Sequence, residues 1–247
     1  MSRAYYNEID PGAAATLRAL IANNLIAPGD VDERSIEDVS PAELVGYDQV
    51  HMFAGIGLWS YALRLAGWPD DRPVWTGSCP CQPFSAAGKG AGIADERHLW
   101  PAMHWLIDHC RPVVVLGEQV AGRGGLSWLD VVSADMEASD YALGAVVAPA
   151  CGFGAPHKRE RLYWAAHPQR VEQPRQEPRR GTPGRVGWVE QPLSWDRDWQ
   201  GALSELRGVD DGCPRSVGAT DALRNAIVPA QAAAFVSAVS SALEAAA

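Results

Sequence analysis

A cysteine in a proline-rich loop is the strongest candidate for chemistry in this sequence. Cys81 lies within residues 78–85, SCPCQPFS, directly after the short apolar run of residues 73–76. That run predicts a strand, and loops at the carboxyl ends of strands are where α/β proteins place reactive groups. Cys81 is therefore a candidate nucleophile. The alternative is a small buried thiol in a turn, because an unpaired cysteine often behaves as a small hydrophobic residue.

An acid follows a second apolar run. Residues 111–116 predict a buried strand, and Glu118 comes just after it. A carboxylate in this position belongs to the same sheet edge as the Cys81 loop, so Glu118 is a catalytic candidate. The alternative is an acid near the start of a helix.

Two arginines precede a further strand, which is predicted over residues 162–166. Arg159 and Arg161 are two residues apart, so their side chains point the same way if both lie in extended chain. Such a pair can hold a carboxylate or a phosphate through bidentate hydrogen bonds. Charges that keep an edge strand soluble are an equally common explanation.

A glycine turn indicates where a ligand could approach the backbone. Residues 49–53 predict a strand that runs into Gly55 and Gly57, and residues 58–68 predict a helix. Strand, glycine turn and helix together bring a ligand close to the helix N-terminus. The third glycine of the dinucleotide fingerprint is absent, which disfavours NAD.

A second glycine-rich stretch, residues 88–97, precedes the helix predicted over residues 98–110. It contains Lys89 and Arg97. We interpret it as a loop that closes over a substrate, since glycine gives it freedom and the two cations give it charge. The alternative is a surface connector.

The other elements alternate between strands and helices and predict an α/β fold. Strands are predicted over residues 4–10, 142–147 and, weakly, 34–39; helices over 12–24, from Ser40, over 126–138 and at the alanine-rich C-terminus; turns at 27–30 and 151–156. Residues 167–193 are rich in Pro, Gln, Arg and Gly and predict a linker or a poorly ordered insertion. No internal repeat is visible.

Charge and composition limit the function classes. The chain has 247 residues and a net charge of −9, yet residues 157–188 carry eight Lys and Arg against three Glu. Only this basic region could meet phosphates, and a solvated charged loop is the alternative. Five scattered cysteines do not form a disulfide framework, and their spacing disfavours a zinc site. With no membrane-length apolar run and no signal peptide, we expect a cytoplasmic enzyme.

Taken together, these stretches resemble the DNA cytosine-5 methyltransferases. The match covers roughly residues 48–166 and 222–240. Residues 53–57 are similar to the family's S-adenosylmethionine loop, residues 80–82 to its nucleophile motif and residues 95–97 to its acid and arginine. Residues 118–120 resemble its Glu-Asn-Val motif, residues 157–161 its Gln-x-Arg-x-Arg motif and residues 225–229 its C-terminal Gly-Asn motif. Gln119, His157 and Arg224 depart from those patterns.

The resemblance also implies an unusual chain order. Only 23 residues separate Gly57 from Cys81, which leaves no room for the two strands that follow the glycine turn in the family. Glu8 and Ile9, however, resemble the ribose-binding motif, and residues 34–39 resemble the adenine-contacting one. We therefore predict that the second and third strands of the sheet precede the first. The alternative is an unrelated N-terminal accessory beside a half-open cofactor pocket.

The resemblance implies a Rossmann-like S-adenosylmethionine-dependent methyltransferase sheet with helices on both faces. The catalytic domain would comprise residues 1–166 and 222–247, and residues 167–221 would form a small variable region that recognises the target. The implied catalytic residues are Cys81, Glu118, Arg159 and Arg161. The implied cofactor-binding residues are Glu8, Ile9, Ser35, Ile36, Phe53, Ala54, Gly55, Ile56, Gly57, Pro80, Asn225 and Ala226, and the substrate-binding residues are Gln82, Ser85, Lys89, Arg97 and Gln119; no metal is expected.

The implied reaction transfers a methyl group from S-adenosylmethionine to C5 of a cytosine that has been flipped out of double-stranded DNA. The Cys81 thiolate would add to C6, and Glu118 would bind N3 and the exocyclic amine. A monomer is expected, in the host cytoplasm if the enzyme is phage-encoded, as its compact size suggests. The alternatives are an RNA cytosine-5 methyltransferase, a transferase of a modified methyl group, an inactive nucleic-acid-binding relative and, more distantly, a nicotinamide dehydrogenase.

Overall fold

A seven-stranded sheet forms the centre of the computed structural model, which describes residues 3–80, 99–154, 158–169 and 227–245. The strands are β1 (Ala4–Asn7), β2 (Gly29–Asp32), β3 (Gln49–Met52), β4 (Val74–Gly77), β5 (Val115–Val120), β6 (Tyr141–Pro149) and β7 (Glu160–Pro168). The described helices are α1 (Pro11–Ala22), α2 (Leu58–Leu65), α3 (Trp100–Cys110), α4 (Arg123–Ala138) and α5 (Pro229–Ala245), with short 3-10 turns at Ile36–Asp38, Pro41–Leu44 and Ala150–Phe153. Most predicted elements are confirmed to within a few residues.

The order of the strands is β2-β1-β3-β4-β5-β7-β6. Neighbouring strands from β2 to β5 are parallel, whereas β7 is antiparallel to both β5 and β6. In the doubly wound sheet the first strand lies centrally, with the second and third beside it on one side. Here β3 takes the position of the first strand, and β1 and β2 take those of the second and third. The predicted rearrangement of the chain order is therefore confirmed.

The N-terminal strand next to β1 differs from the prediction. The structure places β2 at Gly29–Asp32, where a turn was expected, while the strand predicted over residues 34–39 is wrong. Gly29 allows β2 to pair with β1, since a Cβ at this position would lie 1.9 Å from the Ala4 carbonyl oxygen. The Asp32 carboxylate then accepts the Arg34 backbone N–H, at 3.0 Å, and turns the chain. Ser35 caps the 3-10 turn that follows.

Helices cover both faces of the sheet. Helices α3 and α4 pack on one face around an aromatic cluster in which the Trp100 ring lies 5.7 Å from that of Trp128 and 6.0 Å from that of Trp164, between centroids. The other face is covered by α1, α2 and α5. None of the helices in the described ranges is both long enough and apolar enough to cross a membrane.

Two glycines, Gly77 at the end of β4 and Gly117 within β5, make the aromatic cluster possible. Gly77 and Gly117 are register partners. A Cβ at Gly117 would lie 2.1 Å from the Trp164 ring, and one at Gly77 would lie 2.4 Å from the Met103 methyl group. The absence of side chains at these positions lets the two larger residues pack directly against the sheet. This packing holds in place the part of the sheet that carries Ser78 and Glu118, the residues that follow the two glycines.

Candidate active site

The candidate site residues that the structure describes lie mostly at one edge of the sheet. The parallel strands β1, β3, β4 and β5 end at this edge, and the antiparallel strand β7 begins there. The edge therefore brings together Glu8 and Ile9 after β1, residues 53–57 after β3, residues 78–80 after β4, Glu118 and Gln119 on β5, and Arg159 and Arg161 at the start of β7.

Glu118 and Arg161 form an ion pair across β5 and β7. The Arg161 Nε lies 2.7 Å from the Glu118 Oε1. Tyr163 is directly opposite Glu118 in the register, so Arg161, two residues earlier, is its diagonal neighbour on the same face. The carboxylate is almost completely buried, at 7 % exposure. An ion pair of this kind is held in place by the pairing of the strands.

The position of Glu118 corrects one detail of the prediction. It lies inside β5 rather than after it, because the strand runs from Val115 to Val120 instead of ending at residue 116. Arg111 adopts a left-handed conformation, with φ of 52°, which delays the start of the strand. The parallel pairing with β4 ends at Gly117, whereas the antiparallel pairing with β7 continues to Val120. Glu118 is thus beyond the end of β4 while its own backbone remains in the sheet.

Burial and charge act in opposite directions on the Glu118 carboxyl. Burial raises its pKa, while the charges of Arg161 and Arg159 and a hydrogen bond from Ser78 lower it, and burial dominates. Burial and the nearby charge of Arg161 lower the pKa of Arg159. The geometry therefore provides a carboxyl group that can carry a proton, next to two guanidinium groups.

The Gln119 side chain forms hydrogen bonds with backbone groups of the protein. It is buried, at 2 % exposure. Its Nε2 donates to the Cys79 carbonyl, at 3.3 Å, and its Oε1 accepts the Val120 N–H, at 2.9 Å. The amide nitrogen thus holds the segment that leads to Cys81, while the amide oxygen binds the backbone of β5 itself. The assignment of Gln119 as a substrate-binding residue stays a prediction.

Ser78 and Trp59 belong to the site, although sequence reasoning did not identify them. The Trp59 Nε1 donates to the Ser78 Oγ at 3.0 Å, and Ser78 in turn hydrogen-bonds to Glu118. Ser78 directly follows β4 and stands three residues before Cys81. This closeness to the candidate nucleophile was the available signal, but a serine in a turn has too many ordinary roles to stand out.

The glycine turn after β3 has an unusual backbone. Phe53, Gly55 and Gly57 all have positive φ, at 53°, 56° and 81°. Gly57 is also required for packing, since a Cβ there would lie 2.9 Å from the Leu17 side chain. The space beside Gly55 is open, with no atom within 4 Å of a Cβ built there. A ligand could therefore approach the backbone at Gly55.

Glu8 links this turn to the neighbouring strand. Its Oε2 accepts the Gly55 N–H at 2.7 Å, and its Oε1 accepts the Asp10 N–H at 2.9 Å. Each carboxylate oxygen keeps a further lone pair, which could accept a hydroxyl group. Ile9 beside it is 65 % exposed. An acid, an exposed apolar side chain and an open glycine turn fit a nucleoside such as that of S-adenosylmethionine.

Several other predicted cofactor contacts have buried side chains. Ala54, Ile56 and Ile36 are at most 7 % exposed and pack in the core, so only their backbone groups could reach a ligand. The Ser35 Oγ accepts the Glu37 N–H at 3.4 Å, and Pro80 is exposed at the end of a described range. Their assignments stay predictions. Cys81, Gln82, Ser85, Lys89, Arg97, His157, Asn225 and Ala226 lie outside the described residues.

Cys79 lies two residues before Cys81 in the sequence. Burial raises the pKa of Cys79, which is 5 % exposed, so its side chain stays a neutral thiol. Within the described ranges, no group of three His, Cys, Asp or Glu side chains could hold a metal ion.

Comparisons with known proteins agree with these observations. Residues 67–185 match the family model of the C-5 cytosine-specific DNA methylases. The type II methyltransferase M.AplI of Arthrospira platensis is 32 % identical over 105 residues, and M.HhaI of Haemophilus parahaemolyticus is 35 % identical over 97 residues. These alignments cover 42 % and 38 % of this chain but only 30 % of each relative.

A solved structure was also matched. The crystal structure of the S. pombe Dnmt2 methyltransferase has a TM-score of 0.42 at 16 % identity, over 70 % of this chain and 53 % of that chain. The resemblance inferred from the motifs is confirmed by the family model and the sequence relatives. Both comparisons match somewhat less than half of this chain, and over that part it is similar to the DNA cytosine-5 methyltransferases.

Proposed function

We propose that this protein transfers a methyl group from S-adenosylmethionine to C5 of cytosine in double-stranded DNA, through a covalent bond between Cys81 and C6. The observation that carries the proposal is the buried Glu118, which pairs with Arg161 and hydrogen-bonds to Ser78 at the start of the Cys81 segment. An acid in this position can bind a base that has been brought next to the thiol. The family model that matches residues 67–185 is that of the C-5 cytosine-specific DNA methylases, and the sequence relatives are type II methyltransferases.

The chemistry needs a nucleophile because C5 of cytosine is too weakly nucleophilic to accept a methyl group unaided. The Cys81 thiolate adds to C6, and the electron pair of the C5–C6 double bond moves toward C5, which becomes enamine-like. S-adenosylmethionine supplies the methyl group that C5 takes up. A base then removes the C5 proton, the C5–C6 double bond re-forms and Cys81 leaves as the thiolate.

Glu118 would stabilise the charge that develops on the ring. As a neutral carboxyl it can donate to N3 while its other oxygen accepts from the exocyclic amine. The burial that raises its pKa favours this protonated form. Arg161, held by Glu118 at the same edge, and Arg159 would contact the O2 side of the base or the adjacent backbone. The base must leave the duplex to reach these groups.

The residues around the glycine turn would hold the methyl donor. Glu8 would accept hydrogen bonds from its ribose hydroxyls, and the open backbone at Gly55 would allow it to approach α2. Phe53 and the exposed Ile9 would contact its apolar parts. These contacts would direct the methyl group toward the edge that carries Glu118.

The first experiment measures transfer of labelled methyl from S-adenosylmethionine to a mixed-sequence DNA duplex. We expect transfer by the wild type, none by Cys81→Ser and most of the activity in Cys79→Ala. The last variant is a matched control, since it removes a neighbouring thiol that points into the core. If the folded wild type binds the cofactor but transfers nothing to DNA, the proposal is wrong, and RNA substrates or a binding-only role become the leading explanations.

A further inference from the structure

Ser78 connects two residues that belong to different parts of the site. It follows β4 directly, and its Oγ accepts the indole N–H of Trp59 at 3.0 Å. Gly77 and Gly117 are register partners, so Ser78 and Glu118, the residues that follow them, lie side by side at the sheet edge, and donation by the Ser78 hydroxyl lowers the pKa of that carboxyl. Trp59 lies in the first turn of α2, which begins just after the glycine turn. Ser78 therefore stands between the candidate cofactor turn and the candidate catalytic carboxyl.

The direction of this hydrogen-bond chain is fixed by the chemistry of its members. An indole N–H can only donate, and a serine hydroxyl has one proton to give and two lone pairs to accept with. Because Trp59 already donates to the hydroxyl, the Ser78 proton is free to point at Glu118. With the Glu118 proton directed at N3, its other oxygen can only accept, and the order is Trp59 to Ser78 to Glu118.

The first member of the chain is held firmly. Trp59 is 3 % exposed, and its ring packs edge-on against that of Tyr163, with centroids 6.0 Å apart and planes at 83°. Tyr163 is the register partner of Glu118 on β7. The indole thus touches the strand next to the carboxyl while it orients the hydroxyl, and α2, β4, β5 and β7 meet at this point.

We propose that Ser78 is a positioning residue for methyl transfer, which orients the Glu118 carboxyl toward the base and is itself oriented by Trp59. The inference rests on the proposed function and adds two residues to it. Ser78 acts through Glu118 and through the segment that leads to Cys81, and it has no contact with the reacting atoms of its own.

The other groups that face Glu118 define what happens when the hydroxyl is removed. Arg161 and Arg159 act on it from β7 and the residues before it, and the Tyr163 hydroxyl is also close enough to interact. From α2, the group that faces this point is the uncharged Trp59. Without Ser78 the carboxyl would be held by the arginines alone and would turn toward them, away from the base.

The kinetic test compares Ser78→Ala, Ser78→Thr and Trp59→Phe with the wild type. We expect kcat of Ser78→Ala to fall on the order of tenfold, as the loss of one hydrogen bond that holds a catalytic group would produce. KM for S-adenosylmethionine should stay nearly unchanged, since Ser78 does not contact the cofactor. Ser78→Thr keeps the hydroxyl and should restore kcat, and Trp59→Phe, which keeps most of the ring, should lie between them.

A second measurement does not depend on activity. The carboxyl carbon of Glu118 can be followed by 13C NMR during a pH titration and identified by its loss in Glu118→Gln. Since donation by Ser78 favours the carboxylate, its titration midpoint should move to higher pH in Ser78→Ala and return in Ser78→Thr.

The two experiments separate the possible failures. A wild-type kcat in Ser78→Ala, or an unchanged Glu118 midpoint in that variant, overturns the inference and leaves the proposed function standing. Absence of DNA methylation by the wild type overturns the proposed function, and in that case the NMR titration still decides whether Ser78 and Trp59 control the state of Glu118.

Discussion

Arg161 donates to Glu118 from the antiparallel strand β7, with its Nε 2.7 Å from the carboxylate Oε1. The pairing is possible only because β7 enters the sheet in the opposite direction, so its first residues lie at the edge where the parallel strands end. The arginine can therefore reach a carboxyl that burial would otherwise leave uncompensated. The same insertion gives the site a cation, which residues 8–10 after β1 and residues 53–57 after β3 lack.

Glu118 should make the folded protein less stable as the pH rises. Burial raises its pKa above that of the unfolded chain, so its contribution to stability is full below the unfolded pKa and is lost as pH rises through the folded pKa. We expect Glu118→Gln to gain in free energy of unfolding relative to the wild type as the pH rises above about 4, where the carboxyl of the unfolded chain titrates. Urea unfolding at several pH values measures this. A difference that is constant or that shrinks with pH would contradict the assignment.

His51 should make the folded protein less stable as the pH falls. It is buried in β3, with its Nδ1 2.8 Å from the Thr76 Oγ1, and burial lowers its pKa to about 3. Because the unfolded chain takes up a proton near pH 6.5 and the folded chain does not, stability falls as pH drops below that value, by up to about 1.4 kcal/mol per pH unit. His51→Gln removes the titrating group and should flatten the curve between pH 6.5 and pH 4. The measurement is again urea unfolding, and an equally steep curve in the variant would refute the prediction.

The close packing of Trp164 against Gly117 of β5 can be tested by a substitution that adds one methyl group to the glycine. Gly117→Ala places a Cβ where the Trp164 ring already lies, 2.1 Å away, and should destabilise the fold by roughly 1–3 kcal/mol. Activity should fall as well, since Glu118 is the next residue. Gly144→Ala, on the exposed strand β6 with no atom within 4 Å, is the matched control and should be neutral or slightly stabilising. Equal thermal stability of the two variants would contradict this.

The sequence revealed the fold where spacing was decisive. The short distance from Gly57 to Cys81 left no room for two strands, and the resemblance of Glu8 and Ile9 to the ribose-binding motif then predicted that two strands precede β3, as the structure shows. The bounds of β2 were harder to predict from the sequence. They depend on a close approach between Gly29 and Ala4, which lie in two distant parts of the chain. Propensity favoured a turn at Gly29, and tertiary pairing overrode it.

The charged residues of the candidate site could be predicted from the sequence, whereas the neutral residues Ser78 and Trp59 could not. Glu118, Arg159 and Arg161 were identified because charges after or before apolar runs are conspicuous, although their pairing required the antiparallel course of β7. Ser78 and Trp59 were missed because a serine in a turn and a tryptophan in a helix are usually structural. Their relation to Glu118 exists only after α2, β4 and β5 have packed together.

Glu8 offers the most direct test of the candidate cofactor turn. We expect Glu8→Gln to weaken the binding of S-adenosylmethionine by about tenfold or more, since an amide is a poorer acceptor for two hydroxyls than a carboxylate. Isothermal titration calorimetry with S-adenosylmethionine measures the change directly. Glu33→Gln is the matched control, because Glu33 follows the neighbouring strand β2 but pairs with Arg18 on the surface. Glu8 also accepts the Gly55 N–H, so circular dichroism should confirm that the variant is folded. Equal affinities of a folded Glu8→Gln and the wild type would show that the ribose is not bound at this acid, and the cofactor would then have to be sought elsewhere along the edge.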